Sequence, residues 1–112
     1  MTIYKAGDII VSPFPFIDTD KAKPRPVLII SKQSFNKSHE KVIALMITTA
    51  VMTKWPSDTV ISHLECCGLD YPSSVRMKCF TLDTRLIKKR IGVMAKSDWS
   101  NVQKKIRSTI AL

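Results

Sequence analysis

Val27-Leu28-Ile29-Ile30 is apolar at every position, and the run from Val42 to Ile47 is of the same kind. A strand without a polar face needs cover on both sides. Two β-branched strands of this type commit the chain to a sheet buried on both faces, and the remaining segments must supply the cover. "GDIIVSPFPF" reads as the first strand, Ile9 to Val11, ended by Pro13 and Pro15, which keep the following loop extended. "DTDKAKPRP" is a charged turn region, "VLIIS" the second strand, "KQSFNKSHEK" a loop, and "VIALMITTA" (42 to 50) the third strand. Alternation in "DTVISHLE" predicts a half-exposed strand, and "SSVRMKCFTLD" another with Val75, Met77 and Cys79 on one face. "DTRLIKKR" predicts a short helix with Asp83 or Thr84 at its N-cap, followed by "IGVM". "KSDWSNVQKKIRSTIAL" is the clearest helix. Ser97 can cap it, Asp98 suits its positive end, and Trp99, Val102, Ile106 and Ile110 line one face. Four to six antiparallel strands closed by one C-terminal helix make a small barrel-like α+β fold, mainly β, in a single domain over residues 1–112.

Composition narrows the function classes. With 45% hydrophobic and 24% charged residues the chain is globular rather than disordered. "VIALMITTAVM" is too short to cross a bilayer, which takes about 20 residues, and "MTIYKAGD" has no apolar h-region. A cytoplasmic protein without membrane contact is the expectation. Three cysteines, two of them adjacent, argue against a disulfide framework. His63, Cys66, Cys67 and Cys79 match no usual zinc spacing, so reduced cysteines packed as small apolar residues, and no metal, are expected. Eighteen Lys and Arg against nine Asp and Glu give +9, spread along the chain with one dense run, "RLIKKR", from Arg85 to Arg90. Such an excess attracts nucleic acid or a strongly acidic protein; a merely solvated face is the plainer alternative.

The kit for catalysis is small. Three glycines, Gly7, Gly68 and Gly92, form no phosphate loop. His39 and His63 sit in no nucleophile motif, and Asp18 with Asp20 is the one close carboxylate pair, more often a turn device than a metal site. Arginine, hydroxyls and a basic surface remain. They suit a phosphodiester that carries its own nucleophile, which in RNA is the 2′-hydroxyl. Arg25 stands between Pro24 and Pro26 where the second strand begins, so it projects from a loop anchored in the core. A rigid guanidinium there can meet developing phosphate charge bidentately. Thr48 could add a hydrogen bond to the same oxygens, although a β-branched residue in a buried strand is more often only that.

"GDIIVSPFPFIDTDKAKPRPVLIIS", "ALMITTA" and "TLDTRLIKKRIG" resemble, in order and spacing, the MazF/PemK toxin endoribonucleases, and the likeness runs into the final helix. The resemblance implies an SH3-like antiparallel barrel of the MazF/PemK/CcdB plasmid-toxin type and no cofactor. It implies a growth-inhibiting homodimer of a type II toxin–antitoxin system that cuts single-stranded mRNA at a short sequence, without the ribosome. The partner is an antitoxin whose acidic, disordered tail occupies the RNA groove, and DNA is bound only together with it. The family's catalytic arginine falls on Arg25 and its active-site threonine on Thr48, with Thr49 one place away. Where some members carry Arg-x-Asp this chain has Arg76-Met77-Lys78, without the carboxylate, and a strict count back from "TLD" reaches Val75. Arg76 is therefore given a secondary, phosphate-holding role. Lys21, Lys23, Lys54 and Lys78 are the candidate RNA-binding cations, with Trp55, Phe14 and Phe16 as apolar surface for a dimer to cover. The general base is unassigned. Arginine is too basic a residue type for it, and His39 could serve from its loop, where a histidine is more often plain surface. Two rival classes share the fold: a gyrase poison that cuts nothing, and a non-catalytic nucleic-acid- or protein-binding module.

Overall fold

The computed structural model of the chain describes residues 3–13, 23–49 and 53–111. Its strands are β1 (Asp8–Pro13), β2 (Pro24–Ile29), β3 (Lys41–Thr48), β4 (Thr59–Val60), β5 (Ser74–Asp83) and β6 (Lys89–Val93), and its helices α1 (Gln33–His39) and α2 (Lys96–Thr109). The strands form one curled sheet in the order β4-β5-β3-β2-β1-β6, every ladder antiparallel. The two all-apolar runs lie side by side at its centre, as Val27↔Met46, Leu28↔Leu45 and Ile29↔Ala44.

Both faces are covered, as the absence of a polar face in β2 requires. On one side Ile9, Leu28, Leu45, Ile47 and Val75 pack against Val102 of α2, with Trp99 and Ile106 beside it. On the other, Ile10, Val27, Ile29, Ala44, Phe80 and Leu82 form a second cluster, with Tyr4, Met46 and Ile87 against it. The 3₁₀ turn Glu65–Cys67 then crosses β6 backbone to backbone. A Cβ on Gly68 (φ +71) would collide with the Ile91 carbonyl, and one on Gly92 with the Cys66 carbonyl.

Four local expectations are corrected. "KQSFNKSHEK" contains α1 rather than an irregular loop. What holds the helix is tertiary: the Asn36 amide is buried, accepts from the Ser31 hydroxyl, and donates to the carbonyls of Tyr4 (2.9 Å) and Ser31 (3.3 Å). "DTVISHLE" yields only the two-residue β4, because the Ser62 and His63 N–H groups donate to Asp98 of α2. Ser97 does not cap α2: Ala95 holds the N-cap position, with no side-chain cap. In β5, Met77 and Lys78 are two extra residues opposite the Leu45–Met46 step, and past this bulge Cys79 is exposed rather than packed with Val75. Of the cysteines only Cys67 is buried, and burial pushes its thiol up to about 11. "DTRLIKKR" does open on a helical turn, the 3₁₀ segment Thr84–Leu86, with the Asp83 carboxylate accepting from the Arg85 N–H.

Asp98 fastens α2 to the sheet. Its buried carboxylate accepts from Ser62 N–H (3.0 and 3.1 Å) and His63 N–H (2.9 Å), with the His63 ring 3.5 Å away. Burial raises its pKa, but these hydrogen bonds outweigh burial and hold it below the ordinary value. A depressed carboxylate stabilises the fold above about pH 4 and loses that contribution as pH falls further. Asp98→Ala is therefore expected to cost about 2–4 kcal/mol at pH 7, read as a Tm drop of roughly 10 °C. The deficit relative to wild type should shrink toward pH 3.

Candidate active site

Strand parity assembles the site. Val27 and Ile29 of β2 and Val42 and Ala44 of β3 share one face with Met46 packed against them. Side chains alternate along a strand, so Arg25, two residues before Val27, and Thr48, two beyond Met46, project from that same face. The offset that pairs Val27 with Met46, carried two residues further, aligns Arg25 with Thr48. On the far side of β3, Thr48 pairs with Ser74 and Met46 with Arg76. Arg25, Thr48 and Arg76 thus project from one end of one face, on three adjacent strands. Thr49, the neighbouring candidate, is exposed at the end of β3.

Arg25 is a strand residue rather than a loop one. It pairs with Ser12 of β1, between Pro13↔Pro24 and Val11↔Pro26. Half-buried, it makes no ion pair among the described residues. Arg76 is in the opposite condition. It is buried, donates from Nε and Nη2 to the two Asp58 carboxylate oxygens (3.1 and 2.9 Å), and reaches the Thr53 carbonyl (2.7 Å). The carboxylate sought within β5 is supplied by the turn before β4. The Arg76 guanidinium beside Asp58 holds that carboxyl below the usual range. Asp58 also accepts from the Trp55 N–H (3.0 Å), which makes it a holder of this turn rather than a proton acceptor.

Around this end stand Lys23 and Lys54, both exposed, and Lys78, whose ammonium lies 5.7 Å from the Trp55 ring centroid. Lys21, Thr49's successor residues 50–52, Phe14, Phe16, Asp18 and Asp20 lie outside the described residues. His39 is not brought to the site. It ends α1, at the opposite end of β3, stacks on Phe35 (4.4 Å) and contacts the Phe35 carbonyl through Nδ1 (3.2 Å). The seven-residue climb from Lys41 to Thr48 puts about 23 Å of strand between them. Among the described residues no three His, Cys, Asp or Glu side chains gather where they could hold a metal ion. Sequence reasoning missed Asp58. The only available signal was the "WPSD" turn, whose closing Asp is typical of a side chain bonding its own backbone.

Residues 5–110 match the family profile of the PemK-like, MazF-like toxins of type II toxin–antitoxin systems. The chain belongs to this family. No curated protein sequence matches it significantly. Among solved structures it is similar to MazF from Deinococcus radiodurans, at TM-score 0.75 and 19% identity over 96% of each chain. It is also similar to an endoribonuclease in complex with its cognate antitoxin from a mycobacterial species, at TM-score 0.75 and 15% identity over 96% of this chain and 93% of that one. A third is the Mycobacterium tuberculosis toxin MazF-mt6, at TM-score 0.72 and 20% identity over 90% and 93%. At these identities the likeness is one of fold. For a PemK-like, MazF-like chain, the "GD" and "RIG" motifs have a structural task here. Gly7 turns at φ 98, and Asp8, buried, accepts from Arg90 Nη1 (2.9 Å) and Lys5 N–H (3.0 Å). Together they clasp β1 to β6.

Proposed function

We propose that this toxin cuts single-stranded mRNA by internal attack. The 2′-hydroxyl gives up its proton to water as its oxygen bonds to the adjacent phosphorus, the bond to the 5′-oxygen breaks, and that oxygen takes a proton from water, so the step is proton-neutral overall. The products are a 2′,3′-cyclic phosphate and a 5′-hydroxyl. What carries the reading is the Arg25 guanidinium, which has no ion pair among the described residues and falls in line with Thr48 when the β2–β3 register is extended, while the neighbouring Arg76 is neutralised by Asp58. Arg25 meets the charge on the non-bridging oxygens and Thr48 adds a hydrogen bond to them. Because the substrate brings its own nucleophile, the step needs no metal ion.

The net charge of +9 supports an extended acidic partner as well as RNA. One structural neighbour holds its cognate antitoxin, and we extend that arrangement to an antitoxin with an acidic tail for this chain. Val93, exposed on the β6 edge strand, is apolar surface that a homodimer would cover. The test is incubation of the purified protein with a long single-stranded RNA, with and without EDTA, followed by end-group analysis. Cyclic-phosphate ends that form equally in EDTA are expected. Cleavage that stops in EDTA and returns with magnesium, or no cleavage at all, would overturn the mechanism.

A further inference from the structure

Trp55 stands in an unusual setting for a large apolar side chain: 38% exposed, yet held on a rigid turn. Its N–H donates to the Asp58 carboxylate (3.0 Å), and the Asp58 N–H donates back to its carbonyl (3.0 Å). Arg76 then locks the turn from beneath through Asp58 and the Thr53 carbonyl. The same guanidinium sits 5.0 Å from the indole centroid, and the Lys78 ammonium 5.7 Å. Through Arg76, which pairs with Met46, the indole is placed on the face and at the end that carry Arg25 and Thr48.

We propose that Trp55 is a nucleobase-stacking platform at the flank of this site, and that the Arg76–Asp58 pair is the positioning device that fixes it. A ring held this way has already lost its conformational freedom, so stacking a base on it costs little further ordering. Arg76 and Lys78, 5.0 and 5.7 Å from the ring centroid, are held to it by cation–π attraction and bring positive charge beside it for the phosphates that flank a stacked base. A second copy of this chain is a poorer occupant. A two-fold contact centred on Trp55 would set Lys54 and Lys78 against their own copies.

The inference rests on the endoribonuclease reading, and the experiment separates the two. A 2′-O-methyl oligoribonucleotide lacks the attacking hydroxyl and can be titrated at fixed salt against wild type, Trp55→Ala and Trp55→Phe. Inorganic polyphosphate serves as a polyanion without bases. The oligomer should quench tryptophan emission of wild type. Trp55→Ala should bind it roughly 5- to 100-fold more weakly, Trp55→Phe should recover part of the loss, and polyphosphate binding should change less than about twofold. If wild type cuts RNA but Trp55→Ala binds the oligomer equally, the platform is wrong and the nuclease reading stands. If Trp55→Ala turns a dimer into a monomer on sedimentation, Trp55 is a subunit contact and the proposal fails. If wild type neither binds nor cuts RNA, the nuclease reading itself falls.

Discussion

Arg25→Ala is expected to lower single-turnover cleavage by roughly 10²–10³-fold, the usual loss for one transition-state donor, with Tm almost unchanged. The fold should tolerate it because Arg25 is half-buried at the start of β2, makes no ion pair among the described residues, and precedes the fully buried Val27–Ile29. Lysine should restore little, since an ammonium cannot reproduce the planar two-donor fork. Thr48→Val, close to isosteric, should reduce the rate while RNA affinity holds. Arg25→Ala that stays folded and cuts within a few-fold of wild type would leave "KPRPVLII" as a strand and nothing more.

Asp58→Ala should be among the most destabilising single changes in the chain, at about 3–5 kcal/mol, because it strands the Arg76 guanidinium as an unpaired buried charge. The Arg76 and Asp58 side chains are only 6% and 12% exposed, so solvent screens the pair little. Thermal melts should show a Tm lower by roughly 15 °C. Replacing both partners together, as in Arg76→Leu with Asp58→Leu, should recover much of the loss. Asp58 titrates below its ordinary value, so the pair is complete above about pH 4 and weakens in stronger acid. A single Asp58→Ala as stable as wild type would show that Arg76 finds other partners.

The parts of the fold legible in the sequence are those a short window determines. Val27–Ile30 and Val42–Ile47 have no polar position, so their burial and strand character could be read directly, and Trp99, Val102 and Ile106 marked the inner face of α2, whereas Ile110, expected on the same face, is exposed beyond the helix end. What escaped depends on partners distant in the chain. The helix α1 is held by Asn36 bonding back to Tyr4, 32 residues away, and β4 is cut short by Asp98, 36 residues from Ser62. Arg25 and Thr48 were reached through resemblance and the chemistry of RNA. Asp58 was not, because its partner lies 18 residues on, in a strand where the carboxylate was sought locally.

The alignment of Arg25 with Thr48 has a consequence for how this protein can fail. The two residues share a face only because of one even–odd agreement between β2 and β3. A slip of a single residue would send one of the pair to the opposite face, with strand content, compactness and charge all preserved. Circular dichroism would not register such a chain as damaged, whereas the cleavage proposed for it would vanish. On that proposal, RNA cleavage is a finer gauge of correct strand pairing in this toxin than any bulk measure of folding.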